Sequence, residues 1–326
     1  MAMIKIIVLC MTILTSAVGY GGFKVGLVLD RAGKDDKSFN EAAFKGATKA
    51  EKELGIELKY VEAPDLAAFE SLHRSLAAKK FDLIIGIGFS QLDAVKKVSA
   101  QNPAIKYAIV DGEIKSANVR SLLFEEHEGS FLVGAAAALK SKTNKVGFIG
   151  GMDIPLIRRF EKGFAAGAKH INKSINVQVN YIGITAEAFN NPTRAKELAL
   201  SQLNSGVDVI FVAAGSSGSG VFDAAEEKKS FAIGVDSNQN WMKPGIILTS
   251  MLKRVDIAVF DTIKEAQAGK FSAGVYRFGL SNKGVDYAVD QHNEKVLNPE
   301  IQKKLEAVKS EIIAGKISVP DYYKQK

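Results

Sequence analysis

Cysteine is nearly absent: the 326-residue chain has one, Cys10, close to its N-terminus. A disulfide framework, a cysteine-based zinc site and a thiol nucleophile in the body of the chain are therefore excluded. Histidine is also scarce. His73, His127, His170 and His292 share no metal-ligand spacing, and the chain holds no Gly-x-Ser-x-Gly elbow and no His-Glu-x-x-His pair. Seven prolines and 29 glycines are too few for a collagen-like or low-complexity chain. No five like charges run together, so the net charge of +7 is dispersed and nucleic acid is not an expected partner. Beyond Tyr20 no apolar stretch reaches membrane-spanning length. What remains is 47% apolar and 24% charged, the balance of a globular protein long enough for two domains.

The first residues read as an export leader. Lys5 is followed by an apolar run from Ile6 to Val18, broken only by Thr12, Thr15 and Ser16. Those 13 residues suit a signal-peptide core and are too short to span a bilayer. Ala17-Val18-Gly19 places small residues where a signal peptidase needs them, so residues 1–19 are expected to be removed. Lipidation of Cys10 fits less well, because Leu9 is not small and Cys10 sits inside the apolar run. The expected compartment is the periplasm.

The rest of the chain alternates strand-like and helix-like segments. Strands are predicted at 24–29, 57–62, 82–87, 105–110, 119–124, 145–149, 177–182, 208–213, 231–235 and 246–251. Several are continuous apolar strings, the pattern of parallel strands buried on both faces. Helices are predicted at 39–54, 66–78, 90–100, 129–141, 157–171, 192–204, 220–229, 255–268 and 299–313, with a hairpin-like stretch at 276–289. The alternation predicts doubly wound α/β sheets, and its repetition predicts two lobes joined by short connections.

In such sheets ligands sit beyond the carboxyl ends of the strands. Those ends carry Asp30, Gly88-Phe89-Ser90, Asp111, Gly150-Gly151, Gly215-Ser216-Ser217-Gly218, Asp236 and Lys253. Carboxylates beside glycines suit a neutral ligand rich in hydroxyls, since each ionised Asp accepts two charge-assisted hydrogen bonds. Asp after a strand is also an ordinary turn former or helix cap, so Asp30, Asp111 and Asp236 carry weight only together. Ser38-Phe39-Asn40-Glu41 reads as a capping box with Ser38 as N-cap. Phe39 shares a helical stripe with Ala43, Ala47, Ala50 and Leu54, which favours a core position. Phe211 lies inside a buried strand and is core by the same logic. The glycine-rich 215–220 segment lacks a P-loop ending and reads as a tight turn.

Taken in order, Lys24-Val-Gly-Leu-Val-Leu-Asp30, Asp36-Lys-Ser-Phe-Asn40, Glu128-Gly-Ser-Phe-Leu132, Gly147-Phe-Ile-Gly-Gly-Met152, Phe160, Gly163-Phe164, Gly234-Val-Asp-Ser237 and Thr249-Ser250…Lys253…Val255-Asp256 resemble the basic membrane protein family. The resemblance implies a type I periplasmic binding fold, with two doubly wound parallel-sheet lobes and a multi-crossover hinge. The expected division is 23–125 plus about 247–275 for the first lobe, and 126–246 plus about 276–326 for the second. It implies a receptor that passes purine nucleosides to an ABC transporter permease; a non-enzymatic monomer without cofactor or metal is expected. It puts Asp30, Phe39 and Asn40 on the base, Phe211 as the opposite stacking face, and Asp111 and Asp236 on the ribose, overriding the core reading of Phe39. Gly215 and Lys253 would complete the rim; Ser38 and Phe89 join the candidate set. Gly215-Ser216-Ser217-Gly218 departs from the family's Gly-Gly-Thr-Gly. A sugar receptor of the same architecture and an exported nucleoside hydrolase are the competing readings. A repressor would need a helix-turn-helix where the leader stands.

Overall fold

The computed structural model describes residues 22–324. The expected leader and Cys10 lie outside the described residues. Two six-stranded sheets form the two lobes. The first contains β1 (Lys24–Leu29), β2 (Glu57–Glu62), β3 (Leu83–Ile87), β4 (Lys106–Val110), β5 (Val119–Phe124) and β11 (Gly274–Phe278), in the order β11-β5-β4-β3-β1-β2 and parallel throughout. The second contains β6 (Lys145–Met152), β7 (Asn176–Gly183), β8 (Val209–Ala213), β9 (Phe231–Asp236), β10 (Ile247–Lys253) and β12 (Val285–Tyr287), in the order β12-β10-β9-β8-β6-β7. Only β12 runs antiparallel to its neighbour, β10. The apolar strings explain the central positions: β3 and β8 are buried along their whole length. The edge strand β2, Glu-Leu-Lys-Tyr-Val-Glu, is mostly exposed.

Helices α1 (Phe39–Leu54), α2 (Ala68–Ala78), α3 (Leu92–Gln101) and α8 (Val255–Gln267) belong to the first lobe. Helices α4 (Glu126–Lys140), α5 (Pro155–Ile171), α6 (Pro192–Asn204), α7 (Gly218–Glu227) and α9 (Pro299–Ile313) belong to the second. Two helix pairs pack closely. On α1 the small residues Ala43, Gly46, Ala47 and Ala50 are buried, and a Cβ at Gly46 would collide with the Asp256 carbonyl of α8. Between α4 and α5, a Cβ at Gly167 would strike the Phe131 carbonyl in the same way. Among the described residues no helix is long and apolar enough to cross a membrane.

Most predicted elements lie within a few residues of their observed bounds. The larger differences involve chain connectivity. The 276–289 stretch is not a hairpin: β11 pairs in parallel with β5 in one sheet, and β12 pairs with β10 in the other. The expected 247–275 portion of the first lobe is also divided, because β10 belongs to the second sheet and only α8 and β11 return to the first. Alternating patterns reveal that a strand exists; they do not say which sheet it joins. Among the described residues the chain thus passes between lobes three times, at Phe124–Glu126, Lys253–Val255 and Phe278–Leu280. The crossings are tied to neighbouring backbone by Glu125 N–H to Phe278 O (2.8 Å) and Arg254 N–H to Gly284 O (2.9 Å).

Candidate functional site

The carboxyl ends of both sheets face one cavity of about 720 Å³, counting its open mouth. The first lobe contributes Asp30 after β1, Phe39 and Asn40 at the start of α1, Gly88 and Phe89 after β3, and Asp111 after β4. The second contributes Phe160 from α5, Phe189 and Asn190 after β7, Gly215 after β8, Asp236 at the end of β9 and Lys253 at the end of β10.

The two rims are built alike. Gly88 and Gly215 follow corresponding strands with φ of 108° and 55°. Asp111 follows and Asp236 ends the next strands, β4 and β9, each with φ of 64°. A left-handed conformation at a non-glycine residue costs about 1–2 kcal/mol, and Asp tolerates it better than most. A side chain at Gly88 would force the Asp30 carboxylate to shift, because its Cβ would come within 2.6 Å of Asp30 Oδ2, and the φ of 108° would strain any other residue. Here glycine allows the backbone and a carboxylate to approach closely.

The start of α1 differs from the expected capping box. Ser38 makes no side-chain cap. Asp36 does the capping, accepting from Ser38 N–H (2.9 Å), Asn40 N–H (2.9 Å), Glu41 N–H (3.0 Å) and Asn40 Nδ2 (2.9 Å). Asn40 Oδ1 in turn accepts from Asp30 N–H at 2.8 Å, fixing the Asn40 side chain beside Asp30. Ser38 is released to cross the cleft: its hydroxyl donates to Asp236 Oδ2 at 2.5 Å. Ser237 Oγ donates back to Ser38 O at 2.8 Å, and Gln239 Nε2 to Lys37 O at 3.0 Å. At the mouth Arg31 pairs with Glu187, and the Phe89 and Phe189 rings meet edge-on at 6.4 Å. These bonds hold the lobes closed.

The floor is strongly electrostatic. Lys253 Nζ donates to both Asp111 oxygens at 2.7 and 2.6 Å and lies 3.1 Å from Glu126 Oε1. Burial alone would lower the Lys253 pKa, but Asp111, Glu126 and Asp236 outweigh it and hold the ammonium above its ordinary value. Loss of solvent pushes Asp111 up to about 6 even with Lys253 on both oxygens, and Asp236 up to about 7. Desolvation also raises Asp30 and Asp36. Near neutral pH Asp236 therefore can donate or accept a hydrogen bond.

Nine of the ten candidate residues gather here. Asp30, Phe39, Asn40, Phe89, Asp111, Gly215, Asp236 and Lys253 line the cavity, and Ser38 stands directly behind Asp236. Phe211 does not. It is fully buried within β8, its ring 5.4 Å from that of Phe164 and 5.7 Å from that of Phe148, so it is a core residue. The aromatic that the second lobe offers to the cavity from a strand-end loop is Phe189, which the sequence reading missed. The strand-end rule would have found it had it been applied after β7. Phe160, Arg31 and Asn190 were missed as site residues too. The glycine-rich segment forms a tight turn, Gly215–Ser217, leading into α7. Glu125, His127 and Asp321 are close enough to share a cation, but the Arg159 guanidinium already contacts all three.

Comparison with known proteins agrees with this architecture. The family model described as ABC transporter substrate-binding protein PnrA-like matches residues 23–322. The CD4+ T-cell-stimulating antigen of Listeria monocytogenes is 38% identical over 92% of this chain and 88% of that protein. The ABC transporter nucleoside-binding protein BmpA of Lactococcus lactis is 35% identical over 91% of this chain and 89% of its own length. Among solved structures, an ABC transporter solute-binding protein from Aeropyrum pernix superposes with a TM-score of 0.82 at 31% identity, covering 91% of this chain and 94% of that one.

Proposed function

The chain belongs to the family of PnrA-like ABC transporter substrate-binding proteins, and from that premise we propose that it captures purine nucleosides in the interlobe cavity. The observation that carries this reading is the pairing of aromatic rings from both lobes with strand-end aspartates in one interlobe cavity. A planar base fits among Phe39, Phe89, Phe160 and Phe189, and Asp30 with Asn40 addresses its polar edge. A vicinal diol fits Asp111 and Asp236, with Lys253 and the Gly215 backbone completing the rim. Phe189 takes the second-lobe stacking role that the resemblance gave to Phe211. A relative named as nucleoside-binding supports the same ligand class.

The working cycle is binding without chemistry. The open lobes rotate about the three crossings, close on the ligand and are held by the Ser38–Asp236 and Arg31–Glu187 contacts. The closed monomer then delivers its ligand to a permease on the outer face of the membrane, after export directed by residues 1–19.

Calorimetry with guanosine, adenosine, inosine, ribose and the free bases tests this. Heat from nucleosides, with ribose and bases much weaker, is expected. Silence from every nucleoside would overturn the proposal. Ribose binding as tightly as a nucleoside would favour the sugar receptor, and release of free base during incubation would favour the hydrolase.

A further inference from the structure

Behind the cavity lies a buried line of alternating charges. It begins at Asp111, which faces the ligand site, and continues to Lys253 at 2.6 Å. Lys253 then meets Glu126 Oε1 at 3.1 Å, and Glu126 Oε2 accepts from Arg159 Nη1. Arg159 Nε donates to Asp321 Oδ1 at 2.8 Å. The same guanidinium binds the Phe124 carbonyl, Glu125 and His127, and the Tyr323 ring covers it with its centroid 4.8 Å away. Arg159 is 1% exposed and Asp321 7%.

Each member comes from a different segment: the residue after β4, the end of β10, the start of α4, the second turn of α5 and the C-terminal tail. The line runs beside two of the three crossings, at Phe124–Glu126 and Lys253–Val255. Charges this deep are weakly screened, so each depends on its neighbours for both position and neutralisation. Asp321 and Tyr323 stand outside the cavity lining, yet they hold the residue that holds Glu126.

We infer that Asp321, Arg159 and Glu126 are positioning residues for the ligand site, through which the C-terminal tail sets the placement of Lys253 and Asp111 in the closed state. Without Asp321, Arg159 is drawn towards Glu125 and Glu126. Glu126 then loosens its hold on Lys253, and Asp111 is no longer fixed for the ligand. The inference rests on the nucleoside reading only for the choice of ligand.

The test is a double-mutant cycle on the full chain with Asp321→Asn, Glu126→Gln and both together. Inosine affinity is read by calorimetry, and folding is checked by thermal melting. Asp321→Asn is expected to weaken inosine by about tenfold, within the usual range for members of one hydrogen-bonded network. In the Glu126→Gln background the same change should cost less than about twofold, because the line is already broken. Losses that multiply, or an Asp321→Asn protein that binds like wild type, would overturn the inference. A merely structural role lowers the melting temperature without producing this non-additivity in affinity.

A second readout needs no ligand. Spin labels on cysteines introduced at the exposed positions Leu66 and Ile184, one on each lobe, report the interlobe distance. Asp321→Asn and Glu126→Gln should each broaden or lengthen that distance in the unliganded protein, and the double variant should go no further. If wild type binds no nucleoside, the ligand reading fails and this measurement decides alone. An unchanged distance distribution in both single variants would then overturn the tail's role.

Discussion

Replacing Lys253 by Met separates the electrostatic role of the cavity floor from its packing role. The side chain is 2% exposed and lies near the Phe39, Phe124 and Phe160 rings, so a thioether of similar length keeps much of the apolar contact. What disappears is the cation on Asp111 and Glu126. Removing one partner of a buried pair costs about 3–5 kcal/mol, because the remaining charge is left uncompensated. At about 2 °C per kcal/mol for a chain of this size, melting at pH 8 should fall by roughly 6–10 °C.

The pH dependence makes this diagnostic. Asp111 already titrates near 6 when folded, above its unfolded value, and the loss of Lys253 raises it further. A group raised in this way contributes its full stability below its unfolded pKa and loses it as pH rises through the folded one. The deficit of the variant should therefore be largest at pH 8 and shrink towards pH 5. Each carboxylate that takes up a proton only in the variant restores up to about 1.4 kcal/mol per pH unit. Urea or thermal unfolding of wild type and variant at pH 5, 6, 7 and 8 provides the measurement. A deficit that is constant with pH, or that grows on acidification, would refute the account of the floor as a balanced buried charge set.

Other predictions follow from the same site. Asp236→Asn removes a carboxylate pushed up to about 7, so the ligand-free protein should gain stability at pH 8 and lose that advantage by pH 5, where Asp236 is already protonated. Melting curves of both proteins across this range check the sign. Phe211→Ala should cost about 3–5 kcal/mol in chemical unfolding, as for a fully buried phenylalanine, and leave nucleoside affinity nearly unchanged in the folded fraction. Phe39→Ala should do the reverse, sparing most of the stability and weakening nucleosides by about fivefold or more at about 1–3 kcal/mol per stacked base, read by calorimetry.

The strand-end rule explains why so much of the site was legible in sequence. Asp30, Gly88, Asp111, Gly215, Asp236 and Lys253 each follow an apolar string of unmistakable length, and the parallel-sheet pattern places all such ends on one side. Phe211 was misplaced for a complementary reason. The residue itself read as core from its strand, and only the resemblance moved it to the cavity. The capping of α1 was unreadable because Asp36, two residues before Ser38, outcompetes the expected cap through four hydrogen bonds that depend on the loop's three-dimensional path. The lobe to which β10, β11 and β12 belong was equally hidden. β11 and β12 are short and take their sheets from pairing with strands more than 30 residues away, while β10 pairs with the preceding β9 and its sheet depends on where the chain crosses, and neither leaves a periodic signal.

The allocation of β10 and β11 has a consequence for how the molecule is made. The first sheet lacks its edge strand until residue 278 has been synthesised, and α1 lacks the helix that covers its small-residue face until residue 267. A chain halted at the end of β9 would thus present an open strand flank on β5 and a bare alanine-glycine seam on α1. Neither half is a finished unit that could be cut away and kept. The halves mature together, late, when the final quarter of the polypeptide is threaded back and forth to seal both.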